Sequence, residues 1–365
     1  MDILNSGIGN YVYYNNKKYS YFAGNNYLGL ANHPLVKAAS IQAIEKYGVN
    51  FSASRRTTGT ADIHLELEKQ LSLFKRKDDA VVFASGYQGN SILLEILKDS
   101  YTAVFMDQFA HPSITGSIPR EIRNVLHYNH CDTGHLESLL HDNGRLRPLI
   151  ITDGVFALTG EIAPLDKIYP LVEKYNAILV VDDAHSTGIL GDTGRGTPEY
   201  FNLADSKNIY QTETMSKALG SYGGFISGNM KITELIREKS TTYQASTSLP
   251  PPVVAAGIAS LKIIRENPEL RIRLLEKAKK LKKEIAGLGL QTTQDNTPNI
   301  PIMLNEIDRA KDLSFFLEKN GIIVPFINYP VKHSTFMVRI TVSESHTDEQ
   351  TEILCNILKK WKDKI

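Results

Sequence analysis

The chain has 365 residues, 42% of them hydrophobic, enough to bury a sizeable core in two or three lobes. Its 41 lysines and arginines nearly balance 40 aspartates and glutamates, so no strong field favours nucleic acid or an anionic membrane, and a small-molecule partner is the default. Its two cysteines, Cys131 and Cys355, lie far apart without a CxxC, which argues against a disulfide framework or a thiolate zinc site and fits a reducing compartment.

The start, MDILNSGIGNYVYYNNKKYS, lacks a basic segment followed by an apolar run. No stretch approaches the eighteen or so apolar residues of a membrane span, and the expectation is a cytoplasmic protein. Downstream, short runs rich in valine and isoleucine alternate with helical periodicity. HLELEKQLSLF (64–74) predicts a helix, AVVFAS (80–85) and TAVFMD (102–107) predict strands, and so do PLIITD (148–153), AILVVD (177–182), NIYQTET (208–214) and GGFISG (223–228). APLDKIYPLVEKY (163–175) predicts a helix interrupted by Pro170. Strand and helix repeated in this way predict an α/β fold with a mainly parallel sheet covered on both faces. After TSLPPP (247–252) come a Lys- and Glu-rich helix, then NIPIMLN, GIIVPFI and TFMVRITV, and a terminal helix TDEQTEILCNILKKWKDK, read as a smaller α/β lobe. The expected division is an N-terminal arm over 1–24, a large domain over 25–248 and a small domain over 249–365.

Ligands of such sheets gather at the carboxyl ends of the strands, where this chain places Ser85, Asp107, Asp153, Asp182 and Thr214. The most telling end is ILVVDDAHSTG (178–188), two acids and then a histidine. A Walker B strand would need a phosphate loop, and no G-x-x-x-x-G-K-[ST] occurs. A dinucleotide fold fails too, since Gly7 and Gly9 are followed by Val12 where a third glycine belongs. Asp182 and Asp183 as helix caps form the plain alternative. The chemical reading joins an acid, an imidazole and Lys217 of TMSKALG. A lysine that forms a Schiff base must lose its proton from a reference pKa of about 10.4, which an enclosed site promotes. Pyridoxal phosphate asks for such a lysine, an acid at its pyridine nitrogen, and hydroxyls or amides for its phosphate.

Nine blocks in order give this chain its resemblance: NNYLGL (25–30), R-x-x-x-G-T-x-x-x-H-x-x-L-E (55–68), ASGYQGN (84–90), DQFAHPS (107–113), DGVFALTGEIAPL (153–165), VDDAHSTGILGDTGRG (181–196), TMSKALG (214–220), STSLPP (246–251) and VRITV (338–342). Together they resemble the α-oxoamine synthases, pyridoxal-phosphate enzymes of aminotransferase fold type I. That resemblance implies decarboxylative condensation of an amino acid with an acyl-CoA or acyl carrier protein thioester. It implies that Lys217 carries the cofactor, Asp182 pairs with the pyridine nitrogen, His185 bonds the 3′ oxygen and His111 stacks on the ring. Ser85, Gly86 and Tyr87 would hold the phosphate where a strand turns into a helix, and Thr214 would add a hydroxyl. Arg339 would clamp the amino-acid carboxylate, assisted by Asn25. Thr247 would reach the phosphate of a neighbouring protomer, making a homodimer with shared sites.

Period two along an extended chain sends Asp183 away from Asp182, so the second acid is expected to be structural. Gly188, Gly191, Gly194 and Gly196 are expected to serve tight turns. Departures from the family pattern are Asn50-Phe51-Ser52 in place of Gly-x-Gly, Ala157 in place of a serine, Ser216 in place of a glycine, and a short N-terminus. No metal is expected. Among members of the family, compactness points to L-alanine with a pimeloyl thioester; glycine with an acetyl donor, serine with a palmitoyl donor, and a noncatalytic partner subunit are the alternatives.

Overall fold

The structure is a computed structural model that describes residues 3–327 and 336–364. By compactness the chain forms a larger unit, Pro34–Phe156 with Ile162–Glu266, and a smaller unit, Met1–His33 with Ala157–Glu161 and Asn267–Ile365.

The larger unit is built on seven strands: β1 (Asp79–Phe83), β2 (Ala103–Asp107), β3 (Asn124–Tyr128), β4 (Pro148–Asp153), β5 (Ile178–Asp182), β6 (Ile209–Thr214) and β7 (Gly224–Gly228). Their order is β1-β7-β6-β5-β4-β2-β3. Neighbours from β6 to β3 are parallel, and β7 alone runs against both its neighbours. Every residue of β2 and β4 is buried, because helices cover both faces. The pleat divides those residues between two cores. Val104, Met106, Leu149, Ile151 and Val180 enter one cluster, while Ala103, Phe105, Ile150, Leu179 and Val181 enter the other. Six of the seven strands coincide with the apolar runs read from the sequence. The seventh, NVLHY, lies at the sheet edge with a mixed exposure and was not read.

The helix Asp62–Lys75 carries a buried lysine in its last turn, and Leu165–Lys174 forms with Pro170 inside it. The helix Gly86–Leu97 starts directly after β1, with Ser85 as its cap: Ser85 Oγ accepts from Tyr87 N at 3.3 Å. The helix Pro251–Glu266 packs on Pro34–Tyr47 and Asp62–Lys75, and so groups with the larger unit.

In the smaller unit Phe336–Thr341 pairs antiparallel with Asn299–Leu304 and with Phe326–Ile327. A hairpin, Tyr11–Tyr14 with Lys17–Tyr21, takes Ile322–Ile323 as a parallel third strand. GIIVPFI therefore makes two short strands in two sheets, divided at Val324 and Pro325. Thr335, the first residue of TFMVRITV, lies outside the described residues. Helices Glu269–Gly287, Ile307–Lys319 and Asp348–Lys362 complete the unit. Among the described residues no helix is long and apolar enough to cross a membrane.

Candidate active site

The carboxyl ends of β1, β4, β5 and β6 surround a cavity in the larger unit lined by Ser85, Gly86, Tyr87, His111, Ser113, Asp153, Asp182, Ala184, His185, Thr214, Ser216 and Lys217. Ten residues singled out from the sequence thus meet: Ser85, Gly86, Tyr87, His111, Asp153, Asp182, His185, Thr214, Ser216 and Lys217. Parallel pairing accounts for this. Asp153 lies opposite Asp182 and Asp182 opposite Thr212, so the ends of β4 and β5 are level and β6 runs two residues further.

Asp182 is buried and held on both oxygens. Asn90 Nδ2 donates to Oδ2 at 2.7 Å, Ser113 Oγ to the same oxygen at 3.4 Å, and Ala184 N to Oδ1 at 3.2 Å. Asn90 is itself fixed by Thr212 Oγ1, which donates to Asn90 Oδ1 at 2.9 Å. These donors fix the direction of the carboxylate. Asn90, Ser113 and Thr212 were not singled out in the sequence. The available signal for Asn90 was its spacing from Gly86, four residues on and one helical turn along the same face.

His111 N donates to Asp153 Oδ2 at 2.9 Å, and Ser113 N donates to His111 Nδ1 at 3.2 Å. Burial holds His111 below the usual imidazole range; the Lys217 ammonium adds to this, while Asp182 opposes it. Burial pushes Asp153 well above the usual carboxylate range, reinforced by the charge of Asp182 and opposed by the His111 N–H.

At the other end of the cavity the helix Gly86–Leu97 presents its first backbone N–H groups. Thr214 Oγ1 accepts from Ser216 N at 3.1 Å and donates to Gly223 O at 3.0 Å. Gly86 permits this packing, since a Cβ there would come within 2.8 Å of Thr214 Cβ. Lys217 sits half-buried in the turn after β6, next to exposed Ser216.

Asp183 turns away from the cavity, as period two requires. It is fully buried and accepts from Gln211 Nε2 at 2.7 Å, from Thr197 N at 3.0 Å and from Ser186 Oγ. Burial raises its pKa, opposed first by the Lys75 ammonium. Lys75 also pairs with buried Glu213 on β6, so one buried cation serves two strand ends. Gly188, Gly191, Gly194 and Gly196 all have positive φ, as turns of this tightness need.

Asn25 and Arg339 belong to the smaller unit and meet there. Arg339 Nη1 donates to Ala157 O at 2.8 Å and Nη2 to Asn25 Oδ1 at 3.5 Å. Asn299 Nδ2 donates to the same Ala157 O at 3.2 Å, and Tyr27 Oη lies 3.2 Å from Asn299 Oδ1 and 3.3 Å from Asn25 Oδ1. Arg339 Nε is buried without a hydrogen-bond partner among the described residues, a donor available to an anion. The position expected to carry a serine hydroxyl thus supplies its backbone carbonyl. Thr247 does not line the cavity. It is exposed and bridges antiparallel to Ser54.

This donor set suits pyridoxal phosphate: an amine for its aldehyde, an anchored carboxylate for its ring nitrogen, an imidazole at one wall and a helix start for its phosphate. Comparison with known proteins agrees with this geometry. Over 99% of its length the chain is 37% identical to the 8-amino-7-oxononanoate synthase of Thermoanaerobacter pseudethanolicus strain 39E, covering 92% of that protein. Its structure superposes on Sphingomonas wittichii serine palmitoyltransferase with a TM-score of 0.94 at 25% identity, covering 100% of this chain and 92% of the other. For 8-amino-7-oxononanoate synthase from Francisella tularensis the TM-score is 0.81 at 26% identity, with 93% and 96% covered. The model of the family described as aminotransferase class I and II matches residues 17–358. With its sheet, its strand-end cavity and a match over nearly its whole length, the chain belongs to the class I and II aminotransferase family.

Proposed function

We propose that the chain is a pyridoxal-phosphate-dependent carbon acyltransferase that joins L-alanine to a pimeloyl thioester, on CoA or an acyl carrier protein, with loss of CO₂. That is the reaction of an 8-amino-7-oxononanoate synthase in biotin synthesis. The observation that carries this reading is the meeting of Lys217, Asp182, His111 and His185 in one cavity of a chain 37% identical to such a synthase over 99% of its length.

Bound there, the cofactor supplies an electron sink for the pair left when the Cα–H bond of the amino acid breaks. The residues divide the remaining work. Lys217 Nζ would hold the cofactor's aldehyde carbon, and as a free amine would take the Cα proton and later return one. Asp182 would face the ring nitrogen, and Asn90, Ser113 and Ala184 N fix its direction in advance, so no reorganisation is needed as charge develops. His111 would cover one ring face, His185 would bond the ring oxygen, and Ser85, Gly86, Tyr87 and Thr214 would hold the phosphate. Arg339 and Asn25 receive the amino-acid carboxylate. In the net reaction Cα bonds to the acyl carbon, the thiol leaves and the carboxylate departs as CO₂.

A twofold dimer in the cytoplasm completes the reading, with Thr247 serving the partner's phosphate. Exposed Thr247 and the exposed Leu35, Ile41 and Ile44 on one helix support it. Purified protein with cofactor, offered alanine, glycine or serine against pimeloyl, acetyl or palmitoyl thioesters, tests the substrate assignment. Alanine with pimeloyl thioester should release thiol fastest and give the β-keto amine mass. Faster turnover of another pairing would overturn it.

A further inference from the structure

Outside the catalytic cavity the described residues contain one cluster of mixed metal-ligand types: Asp107, His130 and Cys131, whose ligand atoms all lie within 4.8 Å of one another. We propose that this cluster is a binding site for a single thiophilic divalent cation, of which Zn²⁺ is the type. Cysteine spacing gave no sign of it, because the ligands come from the end of β2 and from the turn after β3.

Parallel pairing brings them together. Asp107 lies opposite Tyr128, so the chain after β3 turns past the end of β2. His130 Nδ1 lies 3.0 Å from Asp107 Oδ1, with side chains 13% and 1% exposed. Cys131 has φ 52°, a left-handed turn, and its Sγ lies 3.8 Å from both ring nitrogens of His130, over the ring. Tetrahedral zinc with ligand distances of about 2.0–2.3 Å needs neighbouring N, O and S ligands about 3.3–3.6 Å apart. A shift of a few tenths of an ångström brings the Asp107–His130 separation into that range, and rotation of the Cys131 side chain from its place over the ring swings Sγ toward an ion on Nδ1, leaving the fourth position to water.

The surroundings orient the ligands. Asp107 Oδ2 accepts from Cys131 N at 2.9 Å and Oδ1 from Phe109 N at 2.8 Å, which fixes the carboxylate while leaving Oδ1 a lone pair. Phe109 and Phe156 pack on the His130 ring at 4.7 and 4.4 Å between centroids and restrict its rotation. Binding replaces the Sγ proton by the metal and moves the imidazole N–H to Nε2, so one proton is released and affinity rises with pH.

Cobalt(II) provides the probe. Titrated into the cofactor-loaded protein, it should give ligand-field bands of four-coordinate intensity to the red of the cofactor absorption, saturating at one ion per chain and lost on adding Zn²⁺. Cys131→Ser should weaken binding by more than roughly 100-fold, beyond the loss of an outer partner, and Cys355→Ser should leave it unchanged. Melting temperature should rise with Zn²⁺ in the parent and not in Cys131→Ser. Absence of the bands in the parent, or bands of undiminished affinity in Cys131→Ser, would overturn the assignment.

Discussion

Gly196 closes directly on the carboxylate of Asp183: with φ at 103°, a Cβ on this glycine would overlap Asp183 Oδ2. Gly154 closes on the other oxygen in the same way. Asp183 is thus wrapped by backbone that only glycine can supply. Gly196→Ala should destabilise the fold by about 3–5 kcal/mol, combining backbone strain with displacement of a buried carboxylate. The urea midpoint measures this, and an unchanged midpoint would contradict the packing.

The two adjacent acids should separate cleanly by function. Asp182→Asn should slow deuterium exchange at Cα of alanine by roughly 100-fold or more, as loss of a preorganised charge does, while cofactor stays bound. Asp183→Asn should leave exchange within about tenfold of the parent and lower stability instead. NMR exchange rates beside denaturation midpoints read both, and equal exchange defects would refute the division.

A pH dependence follows from His346. Its Nδ1 accepts from Ser343 N at 2.9 Å, its Nε2 lies 2.9 Å from Tyr21 O, and the ring stacks on Phe22 at 4.0 Å. Burial holds its pKa down to about 4, against 6.5 when unperturbed. Folded protein keeps the ring neutral while the unfolded chain takes up a proton, so its stabilisation is full above pH 6.5 and is lost as pH falls to 4. The loss amounts to about 3 kcal/mol. In His346→Gln the dependence of the denaturation midpoint on pH should flatten across that window.

Tyr27 should act on the amino acid through other residues. Its hydroxyl ties Asn25 to Asn299, and both Asn299 and Arg339 bond the Ala157 carbonyl. Tyr27→Phe should raise the dissociation constant for L-alanine about tenfold and leave turnover at saturation nearly unchanged, the size of one buried hydrogen bond. Spectral titration with alanine separates this from a folding defect, which would also lower cofactor content.

Shared sites are tested by mixing Lys217→Ala with Thr247→Ala chains. A mixed dimer has one doubly damaged and one intact site if Thr247 acts across the boundary, so activity should exceed that of either homodimer. No recovery in heterodimers shown to have formed would exclude the arrangement.

Strand ends were readable because a strand buried on both faces writes itself as a continuous apolar run, and the polar residue that breaks the run marks the cavity. Asp182 and Thr214 were found in this way. NVLHY escaped because an edge strand needs no such run, and its residues are partly exposed. The hairpin YVYYNNKKYSY was passed over although Asn15 and Asn16, at φ 48° and 59°, are the turn pair such hairpins favour. Within GIIVPFI, read only as part of the smaller lobe, Pro325 cannot donate, and the chain changes sheets there. Asn90 and Ser113 stayed hidden because their partner, Asp182, is remote in sequence and only the sheet brings them together.

Strand β7, the one that runs against its neighbours, also sets the order of events as the chain leaves the ribosome. β1 pairs along its whole length with β7 alone, Asp79 with Gly228 through Phe83 with Gly224. Until residue 228 has been made, β1 has no strand partner on either edge, and the helix start that follows it has no fixed seat beside Thr214. The parallel strands from β2 to β5 can assemble in the meantime on their own neighbours. The seat of the Gly86–Leu97 helix start beside Thr214 is therefore among the last features of the larger unit to form, and until then the nascent chain carries an unpaired strand of the kind that chaperones cover.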